Sequence, residues 1–203
     1  MTIKDLDARV VTVWEGLRPM TKKMLVGALE STGNLVSATT SQKFEYDAHS
    51  DWELSRLLTA LDEQGRAKSD PAREEATQLA ETCASILESQ SGSAEVFIQL
   101  AARSIKQHDY NRLDKLADHL LERFSAGEIA EIVRQTEYPQ IRAIAYETLS
   151  MLPVGSLLPL LDDPLYAEIA MSALEQKAFE YESEEAREVL EQMEDDGETR
   201  MDQ

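Results

Sequence analysis

Several residue types that usually announce chemistry are scarce in this sequence. There is one cysteine, Cys83, in 203 residues. A lone cysteine cannot staple the chain and says little about redox compartment. Cys83 lies among Ala80, Ile86 and Leu87 at helical spacing, with no adjacent cation to lower its pKa, so it reads as a small core residue. Glycine and proline together number only 14, and β-branched runs are short. With so few helix breakers and so many Glu, Ala, Leu and Gln, the expected fold class is all-α. No stretch approaches the roughly 18 apolar residues of a membrane helix. The opening Met1-Thr2-Ile3-Lys4-Asp5 lacks the basic-then-apolar pattern of a secretory signal. The expected location is cytoplasmic, with no membrane partner.

Basic residues are also few. Lys and Arg total 20 against 39 Asp and Glu, a net charge of −19. The excess is concentrated: residues 162–203 hold 3 basic and 15 acidic side chains. Such a field repels nucleic acid and anionic lipid and would attract a basic protein, although a carboxylate-rich surface also serves solubility alone.

What is present is helical periodicity. Leu6, Val10, Val13, Trp14 and Leu17 form one stripe over a helix from about Ile3 to Leu17, ended by Gly16 and Pro19. A second helix runs from about Met20 to Ser31, with Gly33 as its cap. The stretch 34–49 reads mostly as loop, with Phe44 and Tyr46 folding back onto the core. Ser50-Asp51-Trp52-Glu53 reads as a capping box, ahead of a stripe of Leu54, Leu57, Leu58 and Leu61 that Gly65 closes. Trp14 and Trp52 are assigned to the core. Asp70-Pro71 opens a helix reaching about Glu88, and Ser89-Gln90-Ser91-Gly92-Ser93 is the linker candidate. Residues 1–90 thus form an N-terminal helical region, either degenerate repeats or a separate subdomain. Residues 93–195 form a second region. Its helices begin at about Ala94, after Asp109 as N-cap, and after Ser125-Ala126-Gly127-Glu128, a second capping box. Ser183 onward supplies an amphipathic terminal helix that caps the stack, and residues 196–203 are expected to be a frayed tail.

The second region contains an internal repeat. With a shift of 25 residues, Ile129 falls on Val154, Ile132 on Leu157, Val133 on Leu158, Pro139 on Pro164, Ile144 on Ile169, Ala145 on Ala170 and Leu149 on Leu174. Each copy is a short helix, a proline-marked turn and a longer helix. One such pair cannot bury both apolar faces, so pairs must stack, which is the logic of a solenoid.

Leu157-Leu158-Pro159-Leu160-Leu161-Asp162-Asp163-Pro164 with Ala170, Ala173 and Leu174 resembles the HEAT repeat. So does Tyr138-Pro139-Gln140-Ile141-Arg142 with Ala145 and Leu149. The resemblance spans about residues 125–181. It departs from the family pattern at Tyr138 (usually Asp), Thr148 (usually Ala) and Ala167 (usually Arg), and its period is shorter than the roughly 40 residues usual in the family. It implies a HEAT-like α-solenoid, a right-handed superhelical stack of antiparallel helix pairs. It also implies an Arg142–Asp163 ion pair between successive units. In such stacks the longer helices tend to line the concave face, and Tyr and Arg dominate interface energetics. Arg142, Tyr146 and Tyr166 are therefore the candidate partner-binding residues, with packing between repeats as the competing role.

No catalytic constellation is evident. His49, His108 and His119 do not make a three- or four-ligand zinc set, and His108 and His119 read as solvent-facing. The acidic clusters lack the spacing of a calcium loop or a glycosidase pair, and there is no phosphate-binding glycine loop or nucleophile elbow. No cofactor is expected. The favoured function is a non-enzymatic protein–protein interaction module, an adaptor, scaffold or inhibitor, whose protein partner is basic. The alternative is an acidic nucleic-acid mimic that inhibits a DNA-binding protein. An enzyme with an unrecognised site, and DNA binding by residues 1–70 around Thr21-Lys22-Lys23, are disfavoured by the absence of paired polar groups and of a basic stripe.

Overall fold

The computed structural model describes residues 6–33, 46–65 and 71–201, with side chains described over 6–30, 46–64 and 73–193. The expectations for Phe44, for a loop over 34–45 and for Asp70 as an N-cap lie outside these residues. The described residues are all-α. The helices are α1 (Ala8–Gly16), α2 (Pro19–Gly33), α3 (Ala48–Gly65), α4 (Pro71–Gln90), α5 (Ala94–Gln107), α6 (Tyr110–Arg123), α7 (Ala126–Gln135), α8 (Pro139–Met151), α9 (Val154–Leu161), α10 (Ala167–Phe179) and α11 (Glu184–Met201). Among the described residues, no single helix is long and apolar enough to cross a membrane. The chain divides into two compact units, Met1–Ser91 and Gly92–Gln203.

In the first unit α3 packs along α4, α1 packs on α3, and α2 packs on both α3 and α4. Their buried stripe is Val10, Leu25, Leu54, Leu57, Leu58, Leu61, Leu79, Cys83 and Leu87. Side chains of this size contribute about 1.5–3 kcal/mol each when fully buried.

The start of α3 corrects the expected capping box. Asp47, not Ser50, is the capping residue: its Oδ1 accepts from the Ser50 backbone N–H and from the Ser50 hydroxyl, both at 2.8 Å. Ser50 and Glu53 both lie on the buried stripe of α3, at the same phase as Leu54 and Leu57. Trp52 falls on the opposite face and is 54% exposed, so it is not a core residue. His49 and Arg56, three residues before it and four after, flank its ring at 5.5 Å and 4.5 Å.

In the second unit, α5 packs on α6, α7 on α8, and α9 on α10. The first helices of these pairs also touch in succession, α5 on α7 and α7 on α9, and so do the second helices, α6 on α8 and α8 on α10. α11 covers α10, with Ala186 buried and Val189 and Leu190 half-buried. It continues as helix to Met201.

Burial repeats with the shift read from the sequence. Ile129 and Val154, Ile132 and Leu157, Ala145 and Ala170, and Leu149 and Leu174 are all buried. The register fails at one pair: Val133 is buried, whereas Leu158 is 41% exposed. α9 has only eight residues and contains Pro159, so its inward stripe is two residues deep, Val154 and Leu157.

Three local stops and starts are made by side chains or strained backbone. Asp109 Oδ1 accepts the Arg112 N–H at 3.1 Å and opens α6. Ser125 Oγ accepts the Glu128 N–H at 3.2 Å and opens α7. His108 adopts a left-handed φ of 58° at the end of α5. There the His108 N–H reaches the Ile105 carbonyl and the Asp109 N–H reaches Ser104, a Schellman closure.

Candidate functional site

Arg142, on the first turn of α8, is exposed, but its guanidinium folds back onto its own hairpin. Nη2 donates to the Thr136 carbonyl at 2.6 Å, satisfying a carbonyl at the end of α7. The expected Arg142–Asp163 ion pair is not formed among the described residues. Asp163 instead accepts the Leu165 N–H at 2.9 Å and shapes the turn into α10. A side chain that closes its own turn cannot at the same time reach the next one. Tyr146 lies one turn further along α8 and is half-buried.

Tyr166, the residue before α10, is also half-buried and engages a different helix. Its hydroxyl donates to Glu131 Oε2 on α7 at 2.9 Å. Glu131 is held from the other side by Arg134, whose Nε donates to Oε2 at 2.6 Å, and by the Gln135 amide. The Arg134 guanidinium, opposed by partial burial and helped by Gln135 and Tyr166, lowers the Glu131 carboxyl to about 2. The same carboxylate raises the Tyr166 phenol. Arg142 and Tyr166 therefore both engage the C-terminal half of α7 and its turn. Their polar atoms serve packing between helices, while Tyr146 and Tyr166 as whole residues stay half-buried.

Two further polar ties join helices of this unit without a sequence motif that announces them. Glu128, expected to bond back to Ser125, instead accepts the Ala94 N–H at 2.8 Å and so caps α5 from α7. At the far ends of α8 and α10, the Ser150 hydroxyl donates to Gln176 Oε1 at 2.9 Å, and Lys177 Nζ donates to the Ser150 carbonyl at 3.0 Å. The 25-residue register brings Ser150 opposite Glu175 and its neighbour Gln176, which was the available signal.

In the first unit the densest polar cluster surrounds Glu53, which is 2% exposed. The Arg18 backbone N–H donates to Glu53 Oε1 at 2.6 Å and Arg18 Nε to Oε2 at 3.1 Å, and the Thr21 hydroxyl also donates to Oε2. The Arg18 guanidinium spans on to Asp47 at 2.7 and 2.9 Å and to Ser50 Oγ at 3.0 Å. Burial works against the charge on Glu53, but the bonds from Thr21 and Arg18 outweigh it and hold its carboxyl below the ordinary value. The bonds from Arg18, then Ser50, do the same to Asp47. Every acceptor here is occupied by a structural donor, so the cluster joins the start of α2 to α3 rather than offering a reactive group.

Among the described residues, no group of three or more His, Cys, Asp or Glu side chains could hold a metal ion. His49 and His108 are exposed, whereas His119, expected in solvent, is half-buried with its Nδ1 covered. The concavity between α2 and α4, about 390 Å³ beside Ala28, Gln78, Thr82 and Ser85, holds one titratable group among the described residues, Glu81. No protein-family model, curated protein or solved structure matches the chain.

Proposed function

We propose that this chain is a non-enzymatic, cytoplasmic protein–protein interaction module. Its second unit is a HEAT-like, right-handed stack of antiparallel helix pairs that presents a helical-repeat surface to a basic protein. The observation that carries this reading is the order of packing in Gly92–Gln203. First helices neighbour first helices, and second helices neighbour second helices, across three consecutive pairs. A chain folded that way grows in one direction and leaves long faces uncovered. The charge supports the choice of partner: Gly92–Gln203 carries 24 acidic and 10 basic side chains, which accelerates encounter with a basic surface.

The test is affinity capture from native lysate at low and at about 0.15 M salt, with captured proteins identified by mass spectrometry. A partner retained at the higher salt, and lost when Arg142, Tyr146 and Tyr166 are replaced together by Ala, is the expected result. Basic proteins captured only at low salt and indifferent to that replacement would favour the nucleic-acid mimic instead. Absence of any specific partner at either salt would overturn the module reading.

A further inference from the structure

The C-terminal ends of α8 and α10 lie side by side, locked by the Ser150–Gln176 and Lys177–Ser150 hydrogen bonds. Beyond that lock the chain exposes large apolar side chains where solvation would favour polar ones. Met151, the last residue of α8, is 46% exposed, Phe179, the last of α10, is 75% exposed, and Tyr181 in the following turn is 44% exposed. All three follow closely on the bonded residues: Met151 adjoins Ser150, and Phe179 and Tyr181 stand two and four residues beyond Lys177. Around them the surface is acidic. Glu147 and Glu175 stand one turn before Met151 and Phe179, and Glu180, Glu182, Glu184 and Glu185 follow, all exposed. The two nearby cations are spent on backbone carbonyls, Lys177 on Ser150 and Arg187 on Ala178.

We propose that this edge docks a basic amphipathic helix of a partner protein, with the partner's apolar face on Met151, Phe179 and Tyr181 and its Lys or Arg side chains on the flanking glutamates. The proposal rests on the reading of the chain as a protein-binding module and adds to it a second docking edge, at the opposite ends of α8 and α10 from Arg142 and Tyr166. Charge complementarity selects the occupant. A second copy of this chain, an anionic bilayer or a nucleic acid would each bring negative charge against the glutamate rim, and like charges across an interface are strongly disfavoured. A basic helix satisfies both the apolar centre and the acidic surround, the arrangement of anchor and rim found in helix-in-groove recognition.

The experiment uses the full chain and a fluorescent amphipathic Leu/Lys peptide of about five helical turns, titrated by anisotropy at about 0.15 M salt. Saturable binding is expected, weakened about tenfold or more by Phe179→Ser with Tyr181→Ser. Leu165→Ser is the control: Leu165 is also highly exposed but precedes the opposite end of α10, so binding should be unchanged. Circular dichroism melting establishes that the variants fold. A peptide of the same composition scrambled to lack an apolar face should bind at least tenfold more weakly, and a Leu/Glu peptide should not bind. Equal losses in the control and the paired variant, or equal affinity for the scrambled peptide, would overturn the proposal. So would a dimer of the chain alone, seen in sedimentation and dispersed by the paired variant, because the edge would then serve self-association. Capture of a lysate partner unaffected by that variant would overturn this edge while leaving the module reading intact. Peptide binding with no lysate partner at all would overturn the module reading and, with it, the assignment of this edge to a partner protein.

Discussion

A carboxylate at position 53 with 2% of its surface exposed accepts hydrogen bonds from one backbone amide, one guanidinium and one hydroxyl. Removing its charge leaves Arg18 and Thr21 short of a partner, so Glu53→Gln should cost about 2–3 kcal/mol in urea unfolding. The pH dependence has a definite sign. Glu53 and Asp47 are both held below their ordinary values. The stability they add is complete above the unfolded carboxyl value, about 4.3 for a glutamate, and is lost as pH falls through the lower folded values. The wild type should therefore lose stability on acidification more steeply than Glu53→Gln, and parallel profiles would show that the network does not hold. At Glu131 the question is whether Tyr166 is a structural tie or a free interface residue. A double-mutant cycle with Glu131→Gln and Tyr166→Phe should return a coupling of about 0.5–1 kcal/mol. A coupling near zero would show that the Tyr166 hydroxyl is not held by Glu131.

Helix boundaries offer a sharper test than helix interiors. His108 sits at φ 58°, a conformation that costs a residue with a Cβ roughly 1–2 kcal/mol and glycine much less. Set against the greater freedom glycine loses on folding, His108→Gly should raise stability by about 0.5–1 kcal/mol, read as an upward shift in the thermal midpoint. A loss would mean that the imidazole, which stacks edge-on to Tyr110 at 6.4 Å, matters more than the backbone. In α9 two adjacent leucines differ only in phase. Leu157→Ala should cost about 2–5 kcal/mol, whereas Leu158→Ala should stay within about 0.5 kcal/mol. Similar costs at both positions would contradict the burial assigned to α9. These positions also show how far the repeat could be read in advance. The shift of 25 residues put the buried pairs 129 and 154, 132 and 157, 145 and 170, and 149 and 174 in register, because burial in a helix follows a local period. It mistook Leu158, because a helix as short as α9 has room for only one narrow inward stripe.

For the whole molecule, each of the two compact units has its own buried stripe, so a fragment spanning Gly92–Gln203 should be helical and melt cooperatively on its own. With 24 acidic against 10 basic side chains, that fragment repels itself, and its midpoint should rise between low and about 0.15 M salt as the carboxylates are screened. A non-cooperative fragment would mean that its core depends on residues 1–91. The sequence by itself determined the all-helical character, the caps at Asp109 and Ser125, and the buried Cys83, since periodicity, capping and side-chain size act over a few residues. Only the tertiary structure decided that Glu53 is inside and Trp52 outside, that Glu128 caps α5, and that Tyr166 bonds Glu131 while Arg142 turns back to Thr136. Glu128 and Tyr166 find their partners 34 and 35 residues away in the chain. Arg142 has an acceptor within its own hairpin, and which of several nearby groups a flexible side chain satisfies is settled only when the helices have packed.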